Sequence, residues 1–329
     1  MTRTSVRSVL CLLLICSAAA VVPASAQHFK RMNGSLTQIA AGRNEVWGLN
    51  GSTIYRFNSS TQKFAEVKGT LTQIAVGGGT LLQKDEVWGI ANGYFVYHFN
   101  FKTNSFDEVG CGFLSCLQLS QIAVGPGYED NCHPYEVWGI ADNQYIGYAT
   151  YRYNYCTSGF DNIPNPTDDN FSQIATGGGD VWTIDPYGYV WEYESVLGGF
   201  WFGQGPAYST IPGFEQISVG VNNVWTVNSG FWNWAPSTQY DQYSVTLGVS
   251  ANQTATGGDG AWVIYDASGA NGLIARYDFQ LGPNSGGYGS GGFSSPFSLT
   301  SPAVQIAVGS GAGVWAIDTE NRVYMFVRQ

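Results

Sequence analysis

Leu36-Thr37-Gln38-Ile39-Ala40-Ala41-Gly42 decides the fold, because the chain writes it again and again. It returns as Leu71-Thr72-Gln73-Ile74-Ala75-Val76-Gly77, then as Gln121-Ile122-Ala123-Val124-Gly125 and Gln173-Ile174-Ala175-Thr176-Gly177. Gln216-Ile217-Ser218-Val219-Gly220 follows, Gln253-Thr254-Ala255-Thr256-Gly257 is a weaker copy, and Gln305-Ile306-Ala307-Val308-Gly309 is the last. After each copy comes an apolar residue and a tryptophan: Val46-Trp47, Val87-Trp88, Val137-Trp138, Val181-Trp182, Val224-Trp225, Ala261-Trp262 and Val314-Trp315. Seven copies at unequal gaps describe a fixed frame with loops of variable length.

Each unit reads as four short strands. Strand A is the Gln-Ile-Ala segment and strand B the Val-Trp segment. Strand C is an alternating aromatic stretch such as Ile54-Tyr55-Arg56-Phe57, Phe95-Val96-Tyr97-His98-Phe99, Tyr151-Arg152-Tyr153 or Val190-Trp191-Glu192-Tyr193. Strand D is an aromatic and an apolar residue three apart: Phe64 and Val67, Phe106 and Val109, Phe160 and Ile163, Tyr208 and Ile211. Alternating apolar residues between Gly, Asn and Asp turns are strand signals. Four strands in about 40–45 residues make one blade of a propeller.

The two ends of the chain complete each other. The last unit stops after Val323-Tyr324-Met325-Phe326 with no strand D. Phe29 and Met32 precede Gln38 in the same step as Phe64 and Val67 precede Gln73. The expectation is an all-β, seven-bladed propeller, closed where the N-terminal strand joins the C-terminal blade and removes an open edge.

Gly34-Ser35-Leu36-Thr37-Gln38-Ile39-Ala40-Ala41-Gly42, then Glu45-Val46-Trp47-Gly48-Leu49-Asn50 and Ile54-Tyr55-Arg56, resembles the tectonin repeat of tectonins, fish-egg lectins and tachylectins. The resemblance runs through nearly all of residues 27–329 and is closest in the first three units. Family members often carry six repeats, against seven here. It implies a propeller and glycan binding.

Arg3 and Arg7, the apolar run Val9–Val22 and Ala24-Ser25-Ala26 describe a secretory signal peptide over 1–26, leaving 27–329 as a single domain. The run is short for a membrane span of about 20 apolar residues. Losing Arg3 and Arg7 takes the formal charge from −10 to −12. Such a surface repels nucleic acid and anionic membrane. Location is therefore extracellular, or periplasmic in a bacterium. Cys111, Cys116, Cys132 and Cys156 remain, an even count that suits two disulfides in an exported protein. Loop faces pair them as Cys111–Cys116 and Cys132–Cys156.

Seven repeated tryptophans invite a sugar-stacking role, but strand B faces a neighbouring blade on both sides. Trp47, Trp88, Trp138, Trp182, Trp225, Trp262 and Trp315 are expected as inter-blade core, each N–H needing a buried acceptor. The repeated Gln is expected to satisfy backbone groups between blades. The aromatics outside the frame are the ligand candidates. Trp232 and Trp234, in a loop after strand B of unit five, and Trp201, in an insertion between strands C and D of unit four, would sit on opposite faces. Glu45, Glu86, Glu136 and Asp180 precede the tryptophans and read as solvated strand ends. They lack the spacing of a calcium loop, so no cofactor or metal is expected. His28, His98 and His133 show no zinc-ligand spacing, and no nucleophile motif is present, so no enzyme is expected. Carbohydrate recognition leads, a protein-binding scaffold is the alternative, and a glycan hydrolase comes third.

Overall fold

The Gln-Ile-Ala and Val-Trp segments become strands because their branched and aromatic side chains alternate on a pleat that neighbours cover on both faces. The computed structural model describes residues 27–328 except 92, 111–115, 128–130, 144–146, 167–169, 195–199, 205–212, 221–222, 228–230, 235–241, 246–250 and 279–291. Among the described residues every regular element is a strand and none is a helix.

The first sheet holds β2 (Gln38–Ala41), β3 (Val46–Asn50), β4 (Thr53–Asn58) and β5 (Lys63–Thr70). The second holds β6 (Gln73–Gly77), β7 (Glu86–Ile90), β8 (Val96–Asn100) and β9 (Ser105–Val109). The third holds β10 (Gln121–Pro126), β11 (Tyr135–Asn143), β12 (Gly147–Asn154) and β13 (Gly159–Ile163). The fourth holds β14 (Gln173–Gly177), β15 (Asp180–Ile184), β16 (Val190–Glu194) and β17 (Phe200–Gln204). The fifth holds β18 (Gln216–Val219), β19 (Val224–Val227), β20 (Phe231–Trp234) and β21 (Gln242–Val245). The sixth holds β22 (Ala251–Gly257), β23 (Gly260–Ala267), β24 (Ala270–Asp278) and β25 (Gly292–Phe293). The seventh joins β1 (His28–Ser35) to β26 (Ala303–Val308), β27 (Val314–Asp318) and β28 (Arg322–Val327). This is an all-β propeller.

β1 runs antiparallel to β28, with His28 opposite Val327 and Phe29 opposite Phe326. Phe29 packs its ring against Trp262, Phe297 and Phe326, and Met32 is buried with Trp315, Ile317 and Val323.

The first strands of the sheets line up in the order β2, β6, β10, β14, β18, β22, β26, and β26 again touches β2. The repeated glutamine stitches them. Gln38 Oε1 accepts the Ile74 N–H, Gln73 that of Ile122, Gln121 that of Ile174 and Gln173 that of Ile217. Gln216 accepts from Thr254, Gln253 from Ile306, and Gln305 from Ile39, all seven at 2.5–3.0 Å. An innermost strand has no partner on its inner edge, and these side chains satisfy one N–H of each.

Two strands fall where loops were expected. Phe231–Trp234 is β20, the third strand of its sheet, with Asn233 opposite Trp225. Phe200–Gln204 is β17, the outer strand of the fourth sheet, in place of the expected strand at Tyr208 and Ile211, which lie outside the described residues. The Cys132–Cys156 disulfide forms as expected, with Cα atoms 5.0 Å apart. Cys116 is also disulfide-bonded, while Cys111 lies outside the described residues, as do residues 1–26, where a leader is expected.

Candidate functional site

The seven repeated tryptophans are the largest fully buried side chains, none more than 1 % exposed. Each faces the next sheet. Trp47 meets Phe99 at 4.6 Å, Trp138 meets Tyr193 at 4.6 Å, and Trp315 meets Phe57 at 4.7 Å. They are core, not ligand contacts.

Three of the acids before them, Glu45, Glu86 and Glu136, are not solvated strand ends. Glu136 accepts the Trp138 indole N–H at 2.5 Å and both Nε and Nη2 of Arg152 at 2.9 and 2.5 Å. Glu45 does the same for Trp47 and Arg56. Cross-strand register explains it: Arg56 lies opposite Trp47 and Arg152 opposite Trp138, so acid, indole and guanidinium share one face. In the second sheet His98 takes the arginine's place, stacked 4.3 Å from Trp88 with Nε2 against Glu86. Tyr155 donates its hydroxyl to Glu86, and burial first, then the Glu86 charge, push that phenol's pKa up. These groups are committed to one another. Among the described residues no group of three His, Cys, Asp or Glu side chains could hold a metal.

The seventh sheet has Gly313 before its tryptophan pair, and there the Trp315 indole N–H donates to the Ala312 carbonyl; its buried acid is Asp318, at the other end of β27. This buried carboxylate accepts from the Glu320 and Arg322 N–H groups, Arg322 Nε and the Tyr324 hydroxyl. Burial opposes its charge, but the Arg322 guanidinium and the other donors outweigh that and hold its carboxyl below the usual range. A depressed folded pKa stabilises above the unfolded value, near 3.9, and the gain is lost as pH falls through the folded value. Asp318→Asn is expected to cost about 1–3 kcal/mol at neutral pH. Melting curves across pH should show the gap to the parent protein narrowing in acid.

Of the ligand candidates, Trp201 is corrected: it is 6 % exposed and packs on Trp138 at 5.7 Å, closing the gap between the third and fourth sheets. Trp232 and Trp234 lie in β20, opposite Thr226 and Val224 in register, and their side chains are outside what is described. The opposite-face placement of the two clusters falls with the loop assignment.

What remains is the axis. At the end where the first strands finish, a cavity of about 400 Å³ is lined by residues of all seven sheets, with glycine the commonest. The glycines mark the closest approach of those strands: a Cβ on Gly77 would strike the Val124 carbonyl oxygen, and one on Gly177 that of Val219. Asp85 braces this end. Its buried carboxylate accepts the N–H groups of Arg43, Asn44, Glu45 and Gly79, tying the hairpin of the first sheet to that of the second. Beside it Leu81 and Leu82 stand 85 % and 98 % exposed.

At the other end, where the first strands begin, a cavity of about 460 Å³ is lined by Thr37, Gln38, Thr72, Gln253, Gln305 and Val304. No ionisable side chain lines it. The threonine hydroxyls are oriented by bonds to backbone: Thr37 to Leu49 O and Thr72 to Ile90 O. Neither Asp85 nor this cavity is legible along the chain, since their parts come from several units.

A Tectonin domain family model matches residues 15–229. The chain belongs to the tectonin family. No curated protein matches this tectonin propeller. Among solved structures it is similar to a streptogramin B lyase (TM-score 0.61, 13 % identity, 92 % of this chain and 97 % of that one). It is also similar to the Pan2 WD40 domain of Neurospora crassa (0.60, 11 %, 89 % and 89 %). A third is YCF48 from Cyanidioschyzon merolae (0.59, 11 %, 92 % and 98 %). At such identities the likeness concerns the fold alone.

Proposed function

We propose that this tectonin propeller is an exported, non-catalytic recognition protein that binds carbohydrate. In this reading residues 1–26 are removed, 27–329 form one domain, and the seven sheets are the blades of one ring closed by β1. The β1–β28 pairing and the Gln305–Ile39 bond support the closure. The Cys132–Cys156 disulfide fits an oxidising compartment.

The observation that carries the ligand class is the uncharged lining of the cavity at Thr37, Gln38, Thr72, Gln253 and Gln305. The glutamine Oε1 atoms are already held by backbone N–H groups, and the remaining lining is neutral, which suits a neutral, hydroxyl-bearing ligand; no charged side chain lines the cavity to favour a phosphate or a cation. The mature protein on a glycan array, with and without EDTA, is expected to retain signal in both conditions and to lose it to free sugar. An array with no retained glycan overturns the reading.

A protein-binding role is favoured by one observation, the pair Leu81 and Leu82 standing in solvent beside the opposite cavity. Partner capture insensitive to free sugar and abolished by Leu81→Ser with Leu82→Ser would support it. Product release from a glycan panel would instead reveal a hydrolase.

A further inference from the structure

The hairpins between second and third strands lie at the same end of the axis as the uncharged cavity, and among the described residues four of them are latched to the segment entering the next sheet. Leu71 donates its N–H to Ser52 O at 3.1 Å, Leu119 to Tyr94 O at 2.9 Å, Phe214 to Gly188 O at 3.3 Å and Leu36 to Asn321 O at 2.9 Å. Ser52, Tyr94, Gly188 and Asn321 therefore occupy one shared position. Asn321 has φ 61° and Gly188 φ 83°, values natural to those residues. Tyr94 has φ 68°. A bulky side chain in the left-handed region is strained, and strain persists where something other than stability retains it.

Packing does not retain this one, for Tyr94 is 58 % exposed. Its N–H donates to Ala91 O at 3.0 Å and its carbonyl accepts from Leu119, so the ring is held up on a fixed backbone. Tyr187, beside Gly188 in the matching hairpin of the fourth sheet, is 62 % exposed. Its N–H donates to Asp185 Oδ1 at 2.9 Å and its carbonyl accepts from Gly213 at 3.2 Å. A tyrosine so placed is rigid, amphipathic and low in side-chain entropy.

We propose that Tyr94 and Tyr187 are stacking platforms for sugar rings, so that a saccharide is bound at the end of the propeller carrying the uncharged cavity. The C–H face of a pyranose covers the phenol ring, and its hydroxyls meet the tyrosine O–H. This rests on the carbohydrate reading above and assigns it a surface.

The test uses the mature protein on an array of neutral and N-acetylated oligosaccharides, with a melting curve for each variant. Tyr94→Asn relieves the strain and removes the ring. Its expected result is a fall in glycan signal of about tenfold or more with the melting temperature unchanged or raised. Tyr187→Ala is expected to weaken binding as well, and Tyr94→Phe, which keeps the ring, to retain it. Glycan signal for the parent that survives in both Tyr94→Asn and Tyr187→Ala overturns the site and leaves the carbohydrate reading standing. A lowered melting temperature in Tyr94→Asn also overturns it, by making Tyr94 structural. No signal for the parent overturns the carbohydrate reading and the site with it.

Discussion

Removing residues 27–35 is expected to cost the protein its cooperative melting transition and much of its solubility. The loss is out of proportion to nine residues at a terminus. β1 supplies the outer strand of the seventh sheet, with Phe29 against Trp262, Phe297 and Phe326, and Met32 5 % exposed beside Trp315 and Val323. Burying Met32 contributes roughly 1.5–3 kcal/mol, and the partly buried Phe29 somewhat less. The lost ladder adds about 0.5–1.5 kcal/mol per hydrogen bond. Together these approach the roughly 5–15 kcal/mol that holds a domain folded. The deletion also bares the edge of β28, whose Phe326 and Val327 then face solvent as a template for aggregation. Size-exclusion chromatography and a thermal melt of the 36–329 chain test this. A permuted chain, beginning at Leu36 and joining β28 through an Asn-Gly turn to His28, should recover the parent's melt. The antiparallel pairing of Val327 with His28 allows that hairpin. A 36–329 chain that melts like the parent would remove β1 from any closing role.

The second large effect is expected at Glu136. Its side chain is 2 % exposed and its partner Arg152 is 11 % exposed. Glu136→Ala leaves a guanidinium and the Trp138 indole N–H without their acceptor in a place water scarcely reaches. Breaking one side of a buried pair costs about 3–5 kcal/mol. The first sheet carries the same arrangement in a wetter setting, with Arg56 34 % exposed. Glu45→Ala should therefore cost less, about 1–3 kcal/mol, as Arg56 turns to solvent and the Trp47 indole N–H alone is left without its acceptor. Urea unfolding of the two variants side by side is the measurement. Equal losses would mean that burial does not set the worth of these pairs.

The contrast shows what is legible along the chain. The inner two strands of every unit were readable because both of their faces are covered, so apolar residues cannot be exchanged there without cost. Outer strands have one face in water and drift. Phe200–Gln204 and Phe231–Trp234, runs of aromatics without a clean period of two, read as loops because their units had lost the spacing that the first three keep. Trp201 was misassigned for the same reason. It looked like an exposed extra aromatic and is instead the outer edge of the packing around Trp138. The acids before the tryptophans were visible, but their partners were not, because Arg56 and Arg152 reach them only across a strand pair.

By itself the sequence determined the repeat, the burial of its seven tryptophans and the role of its glutamines between sheets, since a period and a pleat are local properties of a chain. Tertiary structure alone decided where a ligand has room. The cavity of Gln38, Gln253 and Gln305 draws on residues hundreds of positions apart. Asp85 finds its donors some 40 residues back in the chain. Tyr94 betrays itself by a backbone angle that no letter code carries. Each is a fact about which units meet, and that is set by the packing of one copy of the repeat on others rather than by any one copy.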